Sequence, residues 1–306
     1  MRRSLFTVIR QLAYRIVPDA LDEYLQMGHA TSRQCIEQFC MYIIHIFRPE
    51  FLRKPTIIDV ERLESLDCTV WSWFGFPIAH KAQYCRLDHG SDPFILLEAV
   101  ASQDLWIWHA FFGVSGEKND INVIQRSPLF NDLKLGKARE IPFVANDVTY
   151  PWGYYLCDGI YLEWVPYVKS VTNLADDDHK RLLYKAMHEA ARKNVERTFG
   201  VLKKKLAILA TLARAYIKEK LANIMYTCII LHNMIINDQK EAICPEWYPE
   251  EKHQPDDLIR SDGQSDGKSR REKADVSGEK GFLTVTDKCS LSLKGMSKDA
   301  LMDNIL

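Results

Sequence analysis

The chain has 306 residues, 47% of them hydrophobic and 11% aromatic, enough to bury one large core with room for a small second unit or a tail. Its formal charge of -1 conceals an asymmetry: residues 1–16 hold Arg2, Arg3, Arg10 and Arg15 without an acid, and between Lys185 and Lys220 ten Lys or Arg face only Glu189, Glu196 and Glu219. The eight cysteines form neither a CxxC pair nor a His/Cys ladder, which argues against a structural zinc and a disulfide framework and makes a reducing interior the expected compartment; no stretch is apolar for long enough to span a bilayer.

Residues 4–54 read as helices: "SLFTVIRQLAYRIV", "LDEYLQM" and "TSRQCIEQFCMYIIHIF", the third with Thr31 or Ser32 as its N-cap. The opening is amphipathic and lacks a clean apolar core, so it is not read as a secretory signal; its freedom from acids leaves a mitochondrial presequence as the minor alternative. Three short helices ahead of an α/β region fit a helix-turn-helix module or a helical lid. From about residue 65 the period changes. "SLDCTVW", "PFILLEAVAS" and "LWIWHAFFGVSG" read as three strands, the second and third joined by a short turn. "NDINVIQRSPLF" has helical spacing and leads through a polar loop to the strand "GYYLCD". A helix over 179–206 follows, then an apolar helix containing "IILHNMII", which is too short and too polar at His232 and Asn233 for a membrane span. After Pro255 the chain turns to Ser, Gly, Asp and Lys, the composition of a solvated, disordered tail.

Three strands, a helix, a fourth strand and then helices is the element order of the ribonuclease-H-like fold. The expected class is therefore α/β: a ribonuclease-H-like mixed sheet flanked by helices, with an N-terminal helical segment and a disordered C-terminal tail. The expected divisions are 1–60 helical, 61–240 the ribonuclease-H-like domain, and 241–306 the acidic, polar tail. In that arrangement the first and fourth strands are neighbours, so Asp67 on the first would meet Asp158 at the end of the fourth. Glu196, in "NVERTFG" on the following helix, is the candidate third acid. Three close carboxylates need a counterion. Mg2+ or Mn2+ is the usual one, and two such ions about 3.5–4 Å apart can activate a water or a 3′-hydroxyl and stabilise a leaving phosphodiester oxygen. The bland alternatives stand beside this: Asp-Gly at 158–159 is ordinary turn chemistry, 41 acids allow many triples, and a basic helix is often just a solvated one.

The strings "DPFILLEAVASQDLWIWHAFFGVSGEKNDINVIQRSPLFNDL", "PFVANDVTYPWGYYLCDGIY", "ARKNVERTFGVLKKKLAIL" and "MYTCIILHNMII" resemble plant transposases of the PIF/Harbinger superfamily, over about Pro18 to Ile259. The resemblance implies a DDE-type transposase domain, dependent on two Mg2+ or Mn2+ ions, that cuts and joins DNA in the nucleus beside a Myb-like DNA-binding partner protein, with a homo-oligomer as a further expectation. It implies Asp67, Asp158 and Glu196 as catalytic metal ligands, with Asp120 in "KNDINV" as the rival second acid; Asp158 is preferred because a strand end adjoins the first strand, whereas Asp120 most simply caps a helix. Lys203, Lys204 and Lys205 are the expected contacts to DNA phosphates.

The chain departs from the family pattern in several places, among them an N-terminus expected to be shortened. "DVERL" runs almost directly into "ESLDC", without the family's Gly-containing segment, which would shift or fray the strand of Asp67. Leu206 stands where the pattern has tryptophan, and the tail after about Asp262 lacks a charged helical character. These departures suit a decaying or co-opted copy, so the alternative is a catalytically inactive domesticated transposase serving as a DNA-binding or protein-interaction module. His109 and His232 are read as core histidines, the "WSW" and "LWIW" tryptophans as core aromatics, and Cys68 and Cys157 as facing away from the two aspartates by the two-residue strand period.

Overall fold

The computed structural model describes residues 2–16, 20, 25–54, 64–86, 92–116, 122–123, 126–131, 135, 143–145, 147–150, 154–158, 167–171 and 178–239. Most of "LDEYLQM", Asp120, the expected divisions near 60 and 240, and the tail lie outside these residues. The chain up to Asn233 is one compact unit; of a second, beginning at Met234, only the end of the last helix is described.

Helix α1 (Arg2–Tyr14) packs on α2 (His29–Phe51); Val8 and Leu12 of the first and Ile36, Phe39, Cys40 and Ile43 of the second are buried. The expected cap of α2 is corrected. The helix starts at His29 behind Gly28, and Ser32 lies inside the first turn, fully buried, with its Oγ accepting from Gln11 Nε2 at 3.0 Å. The hydroxyl that could have capped the helix ties the two helices together instead.

Strands β1 (Glu64–Ser72), β2 (Phe94–Ser102) and β3 (Ile107–Ser115) form the antiparallel meander, with the short helix α3 (Lys81–Tyr84) between β1 and β2. β1 is paired with β2 along its whole length, from Glu64 opposite Ser102 to Ser72 opposite Phe94, so the shortened approach does not fray it. β2 is buried at every position, as its near-continuous apolar run requires of a central strand. β3 carries two register shifts against β2, and Gly113 supplies a positive φ of 105° there.

Beyond the meander come β4 (Phe143–Ala145) and β5 (Val148–Tyr150), a separate hairpin where a polar loop was expected, turned by Asp147 at φ 61°. β6 (Tyr155–Cys157) lies parallel to β1, and β7 (Tyr167–Lys169) parallel to β6. The sheet order is β3-β2-β1-β6-β7, mixed, with the first and fourth strands of the expected scheme adjacent. Helix α4 (His179–Lys205), N-capped by Asp178, covers β1 and β2 on one face. On the other, Leu66, Val100 and Cys157 form one cluster and Phe94, Leu96, Val114 and Val123 another. Helix α5 (Lys218–Asp238) closes the far edge: Asn233 Oδ1 accepts from Ile107 N–H at 3.0 Å, and its Nδ2 donates to the carbonyls of Ile107 and Phe51. This is the expected mixed α/β class with flanking and N-terminal helices.

Candidate functional site

Pairing places the two aspartates at one level. Ser65 of β1 is opposite Leu156 of β6 in a parallel pair, so two residues further on Asp67 and Asp158 stand side by side, Asp158 being the first residue after β6. Alternation puts Asp67 on the face covered by α4, while Cys68 packs into the opposite cluster with Val70, and Cys157 into that of Leu66 and Val100. Burial pushes the Cys157 thiol up to about 12, which leaves it inert at neutral pH. α4 brings Glu196 over this point, and Arg192 precedes Glu196 by one helical turn on the same face.

The three acids from three elements meet on one atom. Arg192 Nη1 lies 3.8 Å from Asp67 Oδ2, 3.4 Å from Asp158 Oδ2 and 3.6 Å from Glu196 Oε1. The arginine and Asp67 are mostly buried, at 21% and 18% exposed, whereas Asp158 and Glu196 are about half exposed. One positive charge thus faces three negative ones, and the four side chains sum to a formal -2, counting 1 - 3. Arg192 does not stand out in the sequence as a site residue; its spacing four before Glu196 is the available signal.

The three expected phosphate-contact lysines have different surroundings. Lys203 is partly buried and donates to Thr69 Oγ1 at 3.1 Å and toward the Val70 carbonyl, tying α4 to β1, and desolvation lowers its pKa. Lys205 is partly buried as well, and desolvation lowers its pKa to about 8. Lys204 is exposed. The exposed stripe of α4 also carries Lys193 and Arg197, at helical spacing with Lys204. Trp71, Trp73, Trp106 and Trp108 are all buried; the first two donate their indole N–H to the carbonyls of Thr211 and Ala215, each at 2.7 Å. Leu206, expected to stand where the family pattern has tryptophan, is fully buried.

Whether the trio fits a divalent ion turns on its donors and its spacing. Carboxylate oxygens are the donor type that Mg2+ and Mn2+ take, and three of them already converge on one cationic point. Among the described residues, however, no three or more His, Cys, Asp or Glu side chains stand grouped so that they alone could hold a metal ion. The donor chemistry fits, and the spacing is that of carboxylates gathered around a guanidinium. No helix among the described residues is long and apolar enough to cross a membrane.

Comparison with curated proteins and with solved structures yields no match. A family model described as plant transposon protein matches residues 50–243, which is more than half of the chain and includes all three acids, Arg192 and the whole sheet. The chain belongs to the plant transposon protein family.

Proposed function

We propose that this protein is a transposase derivative of the PIF/Harbinger type, acting as a divalent-metal-dependent DNA endonuclease and strand-transfer protein. The observation that carries the reading is the convergence of Asp67, Asp158 and Glu196, from β1, the end of β6 and α4, on a single cation. Membership of a transposon protein family supports it. Mg2+ or Mn2+ held by these carboxylates would supply an activated water or 3′-hydroxyl and charge stabilisation for the leaving phosphodiester oxygen. The chain's own part is to hold the three acids at one level of the sheet and to offer DNA phosphates the exposed cations of α4. DNA is the proposed substrate and the nucleus the proposed site of action, with a Myb-like protein and a second copy of the chain as proposed partners.

The test is cleavage of a DNA duplex by the purified protein in Mn2+. Asp158→Ala should abolish metal-dependent cleavage and leave DNA binding largely intact; loss of both together would contradict the division of roles.

The second reading is a catalytically inactive module that keeps the fold and its basic helix. It is favoured by the guanidinium at the centre of the trio and by the absence of metal spacing among the described residues. Mn2+ separates the two: at about ten times its dissociation constant a native-state ligand adds about 1.4 kcal/mol of stability. A cooperative melt that Mn2+ does not raise supports the inactive module.

A further inference from the structure

We infer that Arg192 is the resident counterion of the carboxylate trio and exchanges with the divalent ion. In the metal-free protein its guanidinium holds Asp67, Asp158 and Glu196 together, and it must leave their midst before a metal can be bound. The exchange rests on the proposed metal dependence; the counterion role does not.

Three features point to it. First, one nitrogen, Nη1, reaches an oxygen of each of three acids that come from separate elements, which makes it the point the cluster is built around rather than a partner of one residue. Carboxylates gathered this closely repel one another unless a cation lies among them. Second, the three separations of 3.4–3.8 Å are all longer than the roughly 2.7–2.9 Å of a strong charge-assisted hydrogen bond. The guanidinium is shared among the acids rather than forked onto one, and a shared, loosely held cation is replaceable. Third, the Arg192 side chain is 21% exposed, so its long, rotatable stem already reaches the solvent boundary, and a change of rotamer would be the way for its charge to leave the trio. A dication and a guanidinium cannot share the centre, because like charges a few ångströms apart repel strongly where water is partly excluded.

The experiment uses the full chain, as wild type, Arg192→Met and Arg192→Lys. Mn2+ binding is followed by calorimetry. Removing the competing cation should tighten Mn2+ binding by roughly tenfold in Arg192→Met, equivalent to about 1.4 kcal/mol. Arg192→Lys keeps the charge but loses the planar fork, and should fall between the two. Equal affinity in all three proteins overturns the exchange while leaving the metal-dependent reading intact. If none of them binds Mn2+, exchange and reading fall together.

A second measurement, without metal, tests the counterion role by itself. Arg192→Met should lower the melting temperature by a few degrees in the wild type, and by clearly less when Asp158→Asn and Glu196→Gln have already removed the charges it balances. The same decrease in both backgrounds means that Arg192 contributes packing alone, and overturns the inference. Should Arg192→Met fail to fold, the same cycle with Arg192→Lys decides it: a decrease in the wild-type background but not in the neutralised one is the expected result, and no difference between the backgrounds overturns it.

Discussion

His232 is fully buried, and its Nε2 lies 2.8 Å from the carbonyl of Leu105. Leu105 turns β2 into β3 at a φ of 66°, a left-handed conformation that a branched side chain adopts only when its surroundings hold it there. Ring N–H donation to that carbonyl is one such hold. Burial, helped by the charge of Lys205, pushes the histidine pKa down from 6.5 to about 4. The unfolded chain therefore takes up the proton first, between about pH 6.5 and 4, and over that window stability falls as pH falls; above it the contribution is complete. The expected loss from His232 between pH 7.5 and pH 5 is about 2 kcal/mol. Urea unfolding at the two pH values should show the drop, and His232→Gln, whose amide can still donate to Leu105, should reduce it by about 2 kcal/mol. An unchanged pH dependence would mean that His232 is not held neutral by burial.

At the scale of elements, the end of β1 is tied to the segment after α4. Ala213 N–H donates to the Ser72 carbonyl at 2.8 Å, and Phe74 and Gly75 N–H return to the Ala213 carbonyl at 2.8 and 3.1 Å. Glycine is required at 75, since a Cβ built there would overlap the backbone oxygen of Arg214, which cannot swing aside as a side chain would. Gly75→Ala should therefore cost about 1–3 kcal/mol, as overpacking usually does, read as a lowered urea midpoint with an unchanged slope. A neutral result would show the tie to be slack. The sequence makes the long elements legible because they repeat a pattern: β2 is apolar throughout, and α4 runs as one long helix under an Asp cap. It does not announce β7, where the three residues Tyr167–Lys169 are too short for any period, nor the β4–β5 hairpin, whose strands are as short. The order of elements was enough to set Asp67 beside Asp158, because parallel pairing of β1 and β6 follows from topology rather than from local pattern. Arg192 was not legible as a site residue, since a cation in a basic helix looks like its neighbours until the sheet edge beneath it is known.

Over the whole molecule, the basic surplus between Lys185 and Lys220 divides into cations that the fold employs and cations that it presents. Ten Lys or Arg against three acids give a formal +7 there, counting 10 - 3. Of the ten, Arg192 lies among the carboxylates, Lys203 is turned to β1, Lys205 is partly buried, and Lys220 pairs with Glu37. Lys193, Arg197 and Lys204 are exposed along one stripe of α4, and Gly200 between them has nothing within 4 Å of the place its Cβ would take, so the stripe has a low point that would admit the backbone of the proposed DNA substrate. Counterion release gives this division a measurable form: for every phosphate that the protein no longer neutralises, the slope of log K against log salt should become shallower by about 0.9 on duplex DNA. Lys193→Gln and Lys204→Gln should each show that change, with affinity falling alike on unrelated sequences. Lys205→Gln should leave the slope unchanged, because a partly desolvated ammonium has few counterions to exchange, although the substitution can still lower stability. If Lys205→Gln flattens the slope while Lys204→Gln does not, the DNA runs along a different side of α4.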